Sequence, residues 1–278
     1  MRGMHFRSAE LLYEIPIVTP PSSLLRWVSH SGSHTPNSKG LPMTVSTLAE
    51  RQPAFLPNHH FGGPGNIGNP AHRTLWLCGI EYGESPDQRG SENEIADYSV
   101  AMQWRNWTYN RNAFKLIAAI EGQDVATAQA YAGEKKIFES NTSDYFQTNL
   151  FPEECRNLET WSQDAQLRTG FKDKQDYLAR IRSTCFRQMH EQVLHHQPRL
   201  FIGVGLTHAE DFCQVVLGRD VTLERHAFSV NGHPKTILLH PGPIPFAVVP
   251  HLSARSGLNS NEALATAGRL IRDMIQKS

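Results

Sequence analysis

The sequence predicts an α/β fold: a three-layer sandwich with a mostly parallel central sheet and helices on both faces. Three observations lead there. Short strand-type runs at residues 75–78, 145–152, 200–205, 236–239 and 246–249 alternate with longer segments whose apolar residues recur at helical spacing. No internal repeat is visible in this alternation. No run approaches the ~18–20 apolar residues of a membrane span.

Taken in order, residues 1–42 read as a flexible extension or a misassigned start, and 43–278 as a single α/β domain. The stretch 20–42 is rich in Ser, Pro, Gly and His, and Met43 could serve as a second start, although 11–17 is weakly amphipathic. Gly63-Pro64-Gly65-Asn66-Ile67-Gly68 spells G-x-G-x-x-G, but a Pro-rich loop precedes it and a strand follows, so only a loop is indicated. The run 75–78 ends at Gly79, and Gly79 and Gly83 bracket Glu81. An acidic loop follows, with Glu84, Asp87, Glu92, Glu94 and Asp97 against Arg89. Trp104, Trp107 and Tyr109 then read as core, with a stacking platform for a base as the functional alternative.

Residues 110–120 carry Phe114, Ile117 and Ala118 at helical spacing, and Gly122 is a stop. The run 145–152 is a second strand ending in a turn, and 153–172 reads as polar and irregular. Residues 174–197 form the strongest helix, with Leu178, Ile181, Cys185, Met189 and Val193 on one face. A third strand at 200–205 leads to a helix at 206–217 and Gly218. Val230-Asn231-Gly232-His233 is a hairpin signal. The last strand at 246–249 leads to a final helix at 259–276, with Leu264, Ala267, Ile271 and Met274 facing inward.

Composition bounds the function less sharply. The 278 residues are 39% hydrophobic and 19% charged, with 27 basic and 27 acidic side chains. Zero net charge argues against a protein coated with basic charge, but a local groove for nucleic acid remains open. Cys78, Cys155, Cys185 and Cys213 form no C-x-x-C pair, so neither a zinc ribbon nor an iron–sulfur spacing is present. They read as reduced, buried thiols of a cytoplasmic protein. The pairs His59-His60 and His195-His196 lack partners at metal spacing and read as structural or solvated. No metal and no cofactor is expected.

Three strand exits carry polar residues: Glu81, Asn149, and His251 with Ser253. In a parallel sheet all three should converge at the carboxyl edge, where ligands bind in open α/β folds. The arrangement resembles the uracil-DNA glycosylase superfamily over roughly residues 70–276, closest to its mismatch-specific and single-strand-selective branches. Gly79-Ile80-Glu81-Tyr82-Gly83 is similar to the first motif of that family, written Gly-Gln-Asp-Pro-Tyr or Gly-Ile/Met-Asn-Pro-Gly in different branches. Asn110-Arg111-Asn112-Ala113-Phe114-Lys115 resembles the Asn-Arg-Phe-Trp-Lys helix start of the mismatch-specific branch. Thr148-Asn149-Leu150 fits the middle motif, and Pro250-His251-Leu252-Ser253-Ala254-Arg255 the last, in its Pro-His-Pro-Ser-x-Arg form. Tyr82 and Leu252 depart from the pattern, each replacing a proline, and the first-motif acid is Glu. His240-Pro241-Gly242-Pro243 also follows a strand and competes for the last-motif role.

The resemblance implies a monofunctional DNA glycosylase that needs no metal. Glu81 would stabilise the oxocarbenium-like sugar or position the attacking water, and His251 would hydrogen-bond the departing base. Asn149 would read the edge of a flipped pyrimidine, with Gly79, Ile80, Tyr82 and Gly83 lining the base site. Ser253, Arg255 and Ser256 would contact DNA. In the uracil-specific branch a Tyr closing the first motif blocks 5-substituents. Gly83 at that position implies a 5-modified pyrimidine, up to the bulk of the glucosylated hydroxymethylcytosine of some phage genomes, and hence an antiphage role. Three alternatives stand beside it: a uracil or mismatch repair glycosylase, a catalytically silent nucleic-acid-binding member of the fold, and a nucleoside or nucleotide hydrolase.

Overall fold

Six strands form one sheet in a computed structural model that describes residues 63–83, 107–139, 141–155 and 159–277. They are β1 (Leu75–Gly83), β2 (Tyr145–Cys155), β3 (Leu200–Val204), β4 (Glu224–Val230), β5 (His233–His240) and β6 (Phe246–Val249). Their order is β2-β1-β3-β6-β5-β4. The first four are mutually parallel, and β5 and β4 continue the sheet antiparallel. The extension at 1–42, the start at Met43, His59-His60, the acidic loop after Gly83 and Trp104 lie outside the described residues.

The central strands are apolar throughout because both faces are covered. Leu75 and Leu77 of β1 enter one core cluster, while Trp76, Cys78 and Ile80 enter the other. Strands β3 and β6 divide in the same way, with Ile202 and Val249 on the first side and Phe201 and Phe246 on the second. The first cluster is closed by α1 (Thr108–Ile120), α2 (Ala128–Lys135) and α7 (Asn261–Lys277). The second is closed by α4 (Lys174–Thr184), α5 (Phe186–His196) and α6 (Ala209–Leu217). Helices therefore lie on both faces of a mostly parallel sheet, and the three-layer fold class holds. Among the described residues no helix is long and apolar enough to cross a membrane.

Several boundaries differ from the sequence reading. The predicted helix over 174–197 is two helices meeting at Cys185. The hydroxyls of Ser183 and Thr184 both donate to the Arg180 carbonyl (3.0 and 2.7 Å), a local competition that disturbs a helix end. The expected apolar face is present: Leu178, Ile181, Cys185, Met189 and Val193 are all buried. Residues 153–172 are not wholly irregular. Strand β2 runs on to Cys155, and Ser162 caps a short helix, α3 (Gln163–Thr169), by accepting from the Ala165 N–H at 3.1 Å. That helix buries only Ala165, so it leaves almost no periodic signal. Helix α2, also absent from the reading, buries only Ala128 and Ala132.

The helix expected from residue 206 begins as a 3-10 turn over Leu206–His208. Strand β1 does not stop at Gly79 but continues through Gly83, so Glu81 lies within its last residues. The hairpin formed as expected. Val230 pairs with His233, and Asn231 and Gly232 take φ of 51° and 77°, the left-handed pair of a two-residue turn.

The glycine-rich segment before β1 has a structural role. Gly65 bridges Phe146, the Asn66 N–H donates to the Tyr145 carbonyl at 2.9 Å, and the Gln147 N–H donates to the Pro64 carbonyl at 3.0 Å. It thus covers the outer edge of β2. His196 is structural too, its Nδ1 lying 2.7 Å from the Gly68 carbonyl oxygen. All four cysteines are buried and free.

Candidate functional site

Register brings the three strand exits to one edge. Thr148, Cys78, Gly203 and Val248 lie level across β2, β1, β3 and β6. One residue further stand Asn149 and Gly79, paired with each other, and Val204 paired with Val249. Glu81 and His251 each lie two residues beyond that second row on their own chain segments. Strands β1 and β6 flank β3, so about 10 Å of sheet separates them.

His240 is at the other end. Because β5 runs antiparallel to β6, His240 pairs with Phe246, where β6 begins. It therefore sits at the amino edge of the parallel strands, and of the two histidines only His251 shares an edge with Glu81 and Asn149.

On the side of the first cluster, Gly79 leaves room that other side chains enter. The carboxamide of Asn149 occupies the space a β-carbon on residue 79 would need, and the Tyr109 hydroxyl lies 3.3 Å from the same point. Neither polar group has a hydrogen-bond partner among the described residues. The Tyr109 ring in turn packs against His251, with centroids 5.7 Å apart. Tyr109 thus joins the Asn149 and His251 positions. It is half-buried, and its hydroxyl is held neutral, chiefly by desolvation. Of the aromatics expected in the core, Trp107 is 54% exposed and is not core.

The geometry around His251 fixes its tautomer. The Ser253 N–H donates to Nδ1 at 3.2 Å, and the Ser253 hydroxyl lies 3.2 Å from the same atom. Nδ1 is therefore the acceptor, leaving the proton on Nε2 as a donor. The residue is exposed as a whole, yet its ring is packed against Tyr109, and desolvation holds its pKa below the usual histidine range. Ser253, expected to contact DNA, has its N–H engaged by His251 and acts first as the orienter of that ring. Arg255 and Ser256 are exposed, and the Arg255 guanidinium has no ion-pair partner among the described residues.

The loop carrying His251 is tightly held. The Leu258 N–H returns to the His251 carbonyl at 3.1 Å, and a side chain on Gly257 would collide with that carbonyl. Lys235 on β5 donates to the Ser256 and Gly257 carbonyls at 3.0 and 2.7 Å. The buried Asn112 of α1 donates to the Leu252 carbonyl at 2.6 Å. Leu252, fully buried, anchors the loop by packing. Helix α1 thus supplies both Tyr109 and the tether behind His251.

Glu81 faces a different set of groups. Its carboxylate pairs with Lys174 of α4, Nζ lying 3.2 Å from Oε1 and 2.9 Å from Oε2, and both side chains are nearly closed to solvent. Burial raises the Glu81 carboxyl above its usual range, against the opposing pull of Lys174 and the smaller effects of Cys155 and His208. Cys155 reaches this place because β2 is irregular here. Glu81 pairs with Phe151 but Gly83 pairs with Cys155, so β2 carries two extra residues against β1. Burial, first, and the nearby Glu81 charge push the Cys155 thiol up to about 11, so it is uncharged at neutral pH. The sequence offered no sign of Lys174, which is 93 positions from Glu81.

Ile80, expected to line the base site, points its side chain into the second cluster, while Tyr82 and Gly83 complete β1. A cavity of about 580 Å³ lies at the opposite, amino edge, lined by His72, Arg73, Glu121, Asp144 and Arg199 among others. Its charges are already engaged, His72 with Asp144 and Arg199 with Glu121. Among the described residues no group of three or more His, Cys, Asp or Glu side chains could hold a metal ion.

No protein-family model matches the chain, and no curated protein matches it.

Proposed function

We propose that this protein is a monofunctional DNA glycosylase that releases a flipped pyrimidine, leaving an abasic site. One observation carries the reading: hydrogen-bonding groups of Asn149 and Tyr109, without partners among the described residues, converge over Gly79, beside a histidine whose tautomer is fixed as a donor. An amide offers a donor and an acceptor to a base edge, and the bare glycine leaves the room in which that amide lies across the strand. The order and placement of the three strand-exit motifs support the likeness to the uracil-DNA glycosylase superfamily.

In this reading the water oxygen bonds to the sugar C1′ as the glycosidic bond breaks, its electron pair leaving on the base. Glu81 stabilises the positive charge on the sugar and takes the proton from water. The Nε2–H of His251 hydrogen-bonds the negative charge growing on the base. Gly83 in place of the blocking Tyr favours a 5-modified pyrimidine, with glucosylated hydroxymethylcytosine as the bulkiest case and phage DNA as its source. The test is a panel of single- and double-stranded oligonucleotides carrying uracil or different 5-modified pyrimidines, scored for alkali-labile sites. Release of the modified base with no free-nucleoside hydrolysis is expected, and no abasic product from any member would overturn the reading.

A second reading, a nucleic-acid-binding protein without catalysis, draws on the ion pair that engages Glu81. It predicts salt-dependent DNA binding with no abasic product.

A further inference from the structure

At the edge where β1 ends, a lysine and a glutamate are shut in together. Buried ion pairs seldom raise stability, because removing two charges from water costs about as much as their attraction returns, and an apolar pair of equal volume often serves as well. A desolvated pair at the ligand-binding edge of an α/β sheet therefore asks for another explanation.

The geometry supplies one. A single ammonium lies within 3.2 Å of both oxygens of Glu81, so the carboxylate is held in one orientation. Lys174 sits in the first turn of α4, whose start is fixed by Asp173 accepting from the Gln175 and Asp176 N–H groups at 2.7 and 3.4 Å. Among the described residues, the other titratable groups facing Glu81 are Cys155 from β2 and His208 from the turn after β3. His208 is itself engaged, 2.7 Å from Asp211, which also pairs with Arg182. Lys174 is thus the one group in direct ion-pair contact with the Glu81 carboxylate among the described residues.

We infer that Lys174 is the positioning residue of this site: it holds Glu81 in its ionised form and aims the carboxylate, acting through Glu81 without touching the reacting atoms. The inference rests on the glycosylase reading for what Glu81 does, but not for what Lys174 does to Glu81. Burial alone would drive the carboxyl toward its protonated form, which can neither stabilise a cationic sugar nor accept a proton.

The test uses the full chain with Lys174→Met and Lys174→Arg. The Glu81 carboxyl is titrated by carbon NMR with labelled glutamate, and base release is measured from pH 5 to 9. In Lys174→Met the Glu81 titration should move to higher pH, and the acid limb of the rate profile should move with it. Base release then falls about tenfold or more at pH 6 but recovers much of its wild-type value at pH 9. Lys174→Arg should keep the wild-type titration. A loss equal at every pH, or an unmoved Glu81 titration, would overturn the inference. So would a borohydride-trapped covalent adduct with DNA that disappears in Lys174→Met, because Lys174 would then be a nucleophile. If Lys174→Met does not fold, the double variant Glu81→Gln with Lys174→Met should fold, its pair being uncharged, and Lys174→Arg still decides the titration. Should the wild-type protein release no base at all, the NMR arm alone decides the Lys174 question, so the two failures are told apart.

Discussion

The carboxamide of Asn149 fills the space where Gly79 lacks a side chain. Residues on neighbouring strands usually hold each other apart by their β-carbons, and here the absence of one lets a polar group lie across the strand. Gly79→Ala should therefore fold, because the obstructing atom ends a side chain that can swing away. Asn149 would be displaced, and base release should fall about tenfold or more with a change in Tm of only a few degrees. Thermal unfolding and single-turnover kinetics on one preparation check this; unchanged kinetics would show that Asn149 is not at the base.

Glu81→Gln and His251→Ala should each lower base release by about a hundredfold or more while DNA binding persists. His240→Ala should leave the rate within about twofold, since His240 sits where β6 begins and not where it ends. Equal losses from both histidine variants would contradict the assignment of edges.

His251 should titrate below the usual histidine range, because desolvation disfavours its charged form and Nδ1 must stay unprotonated to accept from Ser253. Between the folded and unfolded titrations the unfolded chain binds more protons, so stability falls as pH drops. The contribution is intact above about pH 6.5, the unfolded value, and is lost as pH falls through the lower, folded one. Proton NMR of the imidazole, with Tm against pH for wild type and His251→Gln, measures it; a His251 titration at or above the free value would refute it.

Asn112→Leu should cost about 1–3 kcal/mol, because the buried Leu252 carbonyl loses its donor. The same change loosens the loop behind His251, so base release should fall by more than the lost stability explains at temperatures where the protein is fully folded. Chemical denaturation paired with kinetics separates the two effects.

Gly83→Tyr bears on which base is taken. A ring at that position should exclude bulky 5-substituents and spare unmodified uracil. Competition between glucosylated hydroxymethylcytosine and uracil oligonucleotides gives the ratio, and a variant that still prefers the bulky base would refute the pocket argument.

The sheet was legible because its central strands are buried on both faces and so are apolar without a break. The hairpin was legible because Asn231-Gly232 demands one turn. The short helices α2 and α3 were not, since each buries only one or two alanines and leaves no periodic mark. Within the site, Glu81, Asn149 and His251 could be picked out as polar residues following apolar runs. Tyr109 could not, because an aromatic at a helix start looks the same whether it packs inward or against a histidine. Lys174 was invisible for a different reason: its meaning lies in a partner on another layer, and nothing local distinguishes it from a solvated lysine in a first helical turn.

The strand order has a consequence for how this protein must be made. Strand β1 lies between β2 and β3, and its residues Leu75 to Ile80 are buried on both faces. During synthesis it leaves the ribosome with neither neighbour present. The end of β3 follows about 120 residues later, roughly ten seconds at ~5–20 residues per second. Until β2 is made this apolar strand has neither partner, and until β3 follows one of its edges stays open to any other extended segment nearby. The yield of folded protein should therefore depend on translation speed and on chaperones that hold nascent chains, more than the equilibrium stability of the finished sheet would suggest.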